Sequence, residues 1–163
     1  MTTQYATQRI YTRSSGRRVT FGDFVCVHCH NFVSAHVTLA GVNHRNHCPY
    51  CLSSRHLDLY AAGDRLAACQ ARMKPIGLTL KRRSKKYARF DQGELMIVHR
   101  CEDCGQFAIN RIAADDDSEA LVAVYRNSLH SNEQQCRRLA DEDIMLLGES
   151  DRQIVEWRLF GQN

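Results

Sequence analysis

The chain has 163 residues, 44% of them apolar and 25% charged, with a formal net charge of +4. That length suits one ordinary domain, or a smaller domain with an appendage, and the composition is that of a folded protein rather than a disordered one. No apolar run approaches the roughly 20 residues that cross a bilayer, and the first 20 residues hold no hydrophobic signal core, so a cytoplasmic protein without membrane contact is expected.

In a reducing compartment the eight cysteines point to metal ligation rather than to a disulfide framework. The charge is unevenly spread. Residues 1–113 carry 17 basic and 7 acidic side chains, a balance of +10, whereas residues 114–163 carry 5 and 11, a balance of −6. A basic front half predicts an acidic partner such as nucleic acid.

Three regions follow in chain order. Residues 1–20, with Arg9, Arg13, Arg17 and Arg18 and no acid, read as a flexible basic arm. Residues 21–113 form the cysteine-bearing body and favour short strands. FVCVHC predicts a strand running into a turn, and HVTLA at 36–40 another strand. Ile76, Leu78 and Leu80 alternate with Gly77 and Thr79, as do Leu95, Ile97 and His99 with Met96, Val98 and Arg100, and QFAINRIA supplies a further strand. KRRSKKYARFDQG lies between the two alternating runs, which predicts a hairpin with a long basic loop.

Residues 114–163 read as an acidic helical tail. Asp115, Asp116 and Asp117 favour a helix start, followed by Leu121, Val124, Tyr125 and Leu129 at helical spacing. A second helix is expected from about Glu133 to Leu147, with Cys136, Leu139, Ala140, Ile144 and Leu147 on one apolar face and Gly148 as its stop. Ser150 and Gln153 make a capping-box pattern before a third helix, in which Ile154, Trp157, Leu159 and Phe160 are expected to be core. The fold class is therefore α+β: a small antiparallel, zinc-ribbon-like β body with a C-terminal helical tail.

The cysteines carry the sharpest signal. Cys26 and Cys29 are separated by two residues, as are Cys48 and Cys51, with 18 residues between the pairs. Two such turns close a tetrahedron around zinc. A third pair, Cys101 and Cys104, precedes Gly105 and needs two partners. Cys69 can be one; His56 or His99 can be the other, with His56 favoured because a separate loop encloses an ion better than two neighbours on one strand. A crossed arrangement joining Cys26 and Cys29 to Cys101 and Cys104 stays open. One or two structural Zn²⁺ ions are expected. A site with four protein ligands leaves no place for substrate or water, so its contribution is to folding.

Together FVCVHC, GVNHRNHCPYCLSSRHLDLYAAGDR, Cys69 with MKPIG, and HRCEDCGQFAINRIAADDD resemble the bacterial RNHCP family, over residues 20–118. The resemblance implies a small zinc-binding domain and carries no activity with it. Its first knuckle departs from the usual glycine after the second cysteine by having His30.

The residues before the second pair, HRNH, admit two readings. A histidine-metal nuclease needs a second, catalytic metal and a preceding Asp-His pair, and a zinc deaminase needs His-x-Glu before Pro-Cys-x-x-Cys; neither is present. Arg45, Asn46 and His47 are therefore expected to brace the knuckle by bonds to thiolates or to its backbone, and no enzyme is expected. Lys81, Arg82, Arg83, Lys85, Lys86 and Arg89 surround Tyr87, a pattern that neutralises phosphates while the aromatic ring stacks on an exposed base. RNA or a ribonucleoprotein is the expected partner. The alternatives are an adaptor that captures a protein of transcription or translation through the helical tail and, behind it, a metal-dependent nuclease.

Overall fold

A computed structural model of the protein describes residues 22–61, 63–81 and 93–161. The arm at 1–20 and, within the basic loop, Arg82, Arg83, Lys85, Lys86, Tyr87 and Arg89 lie outside the described residues.

A two-residue strand β1 (Phe24–Val25) pairs antiparallel with β2 (Phe32–Val33). A helical turn α1 (Val37–Ala40) follows. Here the expected strand over 36–40 is corrected. Val37 and Thr38 favour strands by propensity, but the His36 ring accepts the Thr38 N–H at 3.1 Å and Gly41 ends the turn at φ 66°, so capping prevails over β-branching.

A four-stranded antiparallel sheet has the order β3 (Ser54–Arg55), β4 (Arg72–Lys81), β5 (Glu94–Cys101), β6 (Phe107–Arg111). Met73 pairs with Cys101, Leu78 with Ile97 and Lys81 with Glu94; a bulge between Pro75 and Gly77 shifts the register once. β5 is buried at five successive positions, Leu95 to His99, so it is the centre of the sheet.

Helix α2 (Ser118–Ser128) is capped by Asp117, whose carboxylate accepts the N–H groups of Glu119 and Ala120. Leu121 and Tyr125 from this helix pack with Leu78, Leu80, Leu95 and Ile97 of the sheet, together with Leu147 and Val155, in one hydrophobic cluster. Helix α3 (Glu133–Asp141) stops six residues before the expected end. Asp143 adopts φ 57°, and the Leu147 N–H then pairs with Leu78 O at 2.9 Å. Leu147 is buried as its apolar character predicts, but from a segment outside any helix that adds a bond to the sheet. Cys136, expected in the core, is exposed, because α3 buries only Leu139.

A 3₁₀ turn (Glu149–Asp151) leads into α4 (Arg152–Phe160). Gly148 and Asp151, rather than Ser150 and Gln153, make the cap: the Gly148 N–H donates to the Asp151 carboxylate at 2.8 Å and the Asp151 N–H to Gly148 O at 3.0 Å. Val155 is the buried residue of α4, while Trp157 and Phe160 are about half exposed, against the expectation that both are core. Among the described residues no helix is long and apolar enough to cross a membrane.

Leu121 is 1% exposed between helix and sheet. Leu121→Ala is therefore expected to lower the unfolding free energy of the zinc-loaded protein by about 2–5 kcal/mol, read by chemical denaturation; a decrease under about 1 kcal/mol would mean that the tail does not share the core of the sheet.

Candidate metal centres

The three Cys-x-x-Cys turns are built alike. In each, the N–H four residues after the first cysteine donates to that cysteine's carbonyl: His30 to Cys26 at 3.0 Å, Leu52 to Cys48 at 2.9 Å and Gly105 to Cys101 at 3.1 Å. In each, the first cysteine's N–H closes the loop on the residue five further on, Asn31, Ser53 or Gln106. The position four after the first cysteine is left-handed every time, with φ 61° at His30, 57° at Leu52 and 74° at Gly105. That conformation costs a residue with a Cβ about 1–2 kcal/mol. Gly105 avoids the cost; Leu52, 0% exposed, offsets it by burial; exposed His30 does neither.

The turns aim their sulfurs inward. Cys26, Cys29, Cys48 and Cys51 form one cluster, and His56, Cys69, Cys101 and Cys104 a second, with all ligand atoms of each group within 4.8 Å of one another. In the first, Cys26 and Cys51 are 3.6 Å apart and Cys29 and Cys48 3.5 Å. In the second, Cys69 lies 3.7 Å from Cys101 and 3.8 Å from Cys104. A disulfide requires about 2.05 Å. A tetrahedron with Zn–S bonds of about 2.3 Å has edges of about 3.8 Å, which is the separation these sulfurs keep. The donor set fits zinc: four thiolates in one site, three thiolates and an imidazole in the other, each able to hold one ion.

The crossed arrangement does not occur, and His56 rather than His99 joins the second cluster. Its Nδ1 lies 2.8 Å from Cys69 Sγ and 3.3 Å from Cys104 Sγ. His99 is turned away: Nε2 donates to Leu52 O at 2.7 Å and Nδ1 accepts from the Asn110 amide at 3.0 Å. Complete burial pushes its imidazole down to about 3, so it stays neutral with both nitrogens used.

Backbone N–H groups aimed at sulfur favour thiolates in these turns. Burial raises the Cys101 thiol, but the Cys104 and Asp103 amides outweigh it and hold it below the usual range. At Cys29 burial is likewise outweighed, by the Asn31 backbone and the thiols of Cys48 and Cys51, bringing it to about 7. Burial wins at Cys69, pushed up to about 11, and at Cys48, pushed well above the usual thiol range. A buried thiol of that kind becomes a ligand when a metal replaces its proton. Asn31, which sequence reasoning did not single out, donates its amide to Cys29 Sγ at 3.4 Å.

Arg45, Asn46 and His47 act elsewhere than on sulfur. Arg45 Nε donates to His47 O at 3.1 Å, a backbone bond of the expected kind. Its other nitrogens reach Asp115 at 2.8 Å and Asp116 at 3.0 Å. His47 Nε2 faces both Asp116 oxygens, at 3.0 and 2.8 Å, rather than the knuckle. The Arg45 and Asp116 side chains are fully buried. Asn46 contributes its backbone carbonyl, which accepts from Ser54 Oγ at 3.1 Å. The signal for Asp115 and Asp116 was visible as three successive aspartates, but a charge run before a helix reads as a cap, and only Asp117 is one.

Two closed tetrahedral sites on repeated Cys-x-x-Cys turns define a zinc-knuckle protein. The sequence profile of the RNHCP domain matches residues 21–122, well over half of the chain, and the protein belongs to that family. No curated protein and no solved structure matches the chain.

Purified protein is expected to bind two zinc ions, Cys104→Ser one, and His99→Gln still two, by metal analysis; a single ion in the unmodified protein contradicts the second site. Asp116→Ala removes the buried carboxylate shared by Arg45 and His47, leaving Arg45 only the partly exposed Asp115, and is expected to cost about 3 kcal/mol with both ions retained. His30→Gly removes the left-handed strain and is expected to raise stability by about 0.5–1 kcal/mol after the greater freedom of the unfolded glycine is allowed for.

Proposed function

We propose that this protein is a non-enzymatic, zinc-stabilised binding protein whose basic β4–β5 hairpin contacts RNA or a ribonucleoprotein. The observation that carries the reading is the pairing of β4 with β5 up to Lys81 and Glu94. It makes KRRSKKYARFDQG the connection of the longest hairpin, so six cations and Tyr87 are carried on a zinc-supported β framework. Lys81 is exposed at its start. Clustered cations neutralise phosphates and release counterions, and an interleaved tyrosine offers a face to an unpaired base.

The absence of catalysis is proposed on coordination grounds. Both clusters present four protein ligands, so a zinc ion in either has no position left for water or substrate. Neither His47 nor His99 is offered to a substrate, since each is about fully buried with its ring engaged in the fold.

A second reading has one observation in its favour. Trp157 and Phe160, each about half exposed on α4, are the residue types that anchor protein interfaces. A protein partner held by the tail is therefore the competing function.

Binding to a single-stranded RNA oligonucleotide, measured by fluorescence anisotropy across a salt series, separates them. The RNA reading expects affinity that falls steeply with salt. When Lys81, Arg82, Arg83, Lys85, Lys86 and Arg89 are changed to Gln, the slope is expected to become shallower by about 0.7 for each phosphate that is no longer neutralised. An unchanged slope in that variant would falsify the hairpin as the RNA-binding element.

A further inference from the structure

A second group of cations stands at the opposite end of the same β4–β5 ladder, beside the His56-containing metal centre. Lys74 pairs with Arg100 across β4 and β5, and Arg100 with Phe107 across β5 and β6, so the three occupy one row on one face of the sheet. Arg138 reaches this row from α3, with its guanidinium 5.2 Å from the centre of the Phe107 ring and donating to Gly105 O at 3.1 Å. Neither interaction neutralises its charge. A Cβ placed on Gly105 would lie 3.4 Å from Arg138 Nη2 and 3.9 Å from Arg100 Nη2, so the two guanidiniums converge on one point of the knuckle turn.

Like charges brought this close are unfavourable unless an anion joins them. Two acids of these elements are engaged elsewhere: Glu102 pairs with Arg72 at 3.6 Å, and Glu133 with Arg137 at 3.1 Å. Among the described residues, Lys74, Arg100 and Arg138 have no carboxylate within ion-pair distance. A zinc ion held by three thiolates and a neutral imidazole carries a formal charge of −1, which leaves most of the +3 from these side chains uncompensated. Gly105, without a side chain, leaves the space between the two guanidiniums open.

We infer that Lys74, Arg100 and Arg138 form a second phosphate-binding site, which holds a backbone phosphate of the RNA about one β4–β5 ladder away from the basic loop. The inference deepens the RNA reading and rests on it for the source of the phosphate. Fork-shaped guanidiniums match phosphate oxygens two at a time, and Arg138 is already oriented by the ring and the carbonyl, so little freedom is lost on binding. Phe107 also lines a cleft of about 220 Å³ together with Tyr60 and Asn110. A base attached to the bound phosphate has aromatic and amide surface beside it. Lys74 and Lys81, where the basic loop begins, are seven residues apart on β4, roughly 23 Å at about 3.3 Å per residue. A single strand of RNA laid along the hairpin engages both.

The test uses the full-length, zinc-loaded protein and the double variant Lys74→Gln, Arg138→Gln, which leaves the residues adjoining the metal ligands intact. Anisotropy against a single-stranded oligoribonucleotide is expected to show about tenfold weaker binding and a salt slope shallower by about 0.7, for the one phosphate no longer neutralised, with zinc content unchanged. In parallel, the Arg138 Nε resonance of the unmodified protein is expected to shift on titration with inorganic phosphate. RNA binding with an unaltered slope in the double variant overturns this site and leaves the loop reading standing. No RNA binding by the unmodified protein, with a phosphate-dependent shift of Arg138, overturns the RNA reading and leaves the phosphate site. Neither RNA binding nor a shift overturns both.

Discussion

Eight ligand atoms, drawn from five separate stretches of chain, converge on two points, and the described residues ahead of β3 have only small apolar clusters besides to hold them. The cluster of buried residues around β1 and β2 consists of Cys26, Val33 and Cys48, with Phe24, Cys29 and Cys51 packed beside them. Four of those six residues are ligands. A core of that size cannot offset the entropy of ordering its loops, so the free energy of metal binding takes the place of apolar burial. The larger hydrophobic cluster belongs to the sheet and the tail, and the second metal centre ties the start of β4 and the end of β5 to the loop that carries His56.

Asp116 joins these two parts. Its carboxylate accepts from Arg45, His47 and the Ala113 N–H, and the next residue both caps α2 and donates its N–H to Pro49 O at 2.9 Å. The loop that precedes the second cysteine pair is therefore bonded to the entry of the helical tail. The arrangement explains why the Arg-Asn-His stretch lies directly before metal ligands without touching the metal: it transmits the position of the knuckle to the helix that covers the sheet.

Much of this was legible in the sequence where the determining interactions are local. Cys-x-x-Cys spacing announces a turn because both sulfurs lie within four residues, and the short apolar runs around Leu78 and Ile97 announce strands, which the sheet buries on both faces. Asp117 could be read as a cap from its own neighbourhood. Two of the failures come from distant partners. Those of Arg45 and His47 are about 70 residues away, beyond any spacing rule. Leu147 fits a helical period but is drawn into a bond with Leu78, and its burial is real while its helix is not. At 36–40 two β-branched residues signal a strand, yet a histidine cap and a glycine stop decide for a turn. The choice between His56 and His99 depended on which ring the sheet turns toward the cysteines, which the backbone settles through Leu52 O.

The structure thus presents a sheet with two clusters of four protein ligands, each able to hold a zinc ion, and with exposed cations, Lys74, Lys81 and Arg100, on β4 and β5. That division rests on both sites being closed. Zinc K-edge X-ray absorption of the two-zinc protein tests it most directly. The account predicts seven sulfur ligands and one nitrogen shared between the two ions, with Zn–S near 2.3 Å and no exchangeable oxygen. An average shell with fewer sulfurs and a water oxygen would contradict it, because an open coordination position would return one of these centres to chemistry.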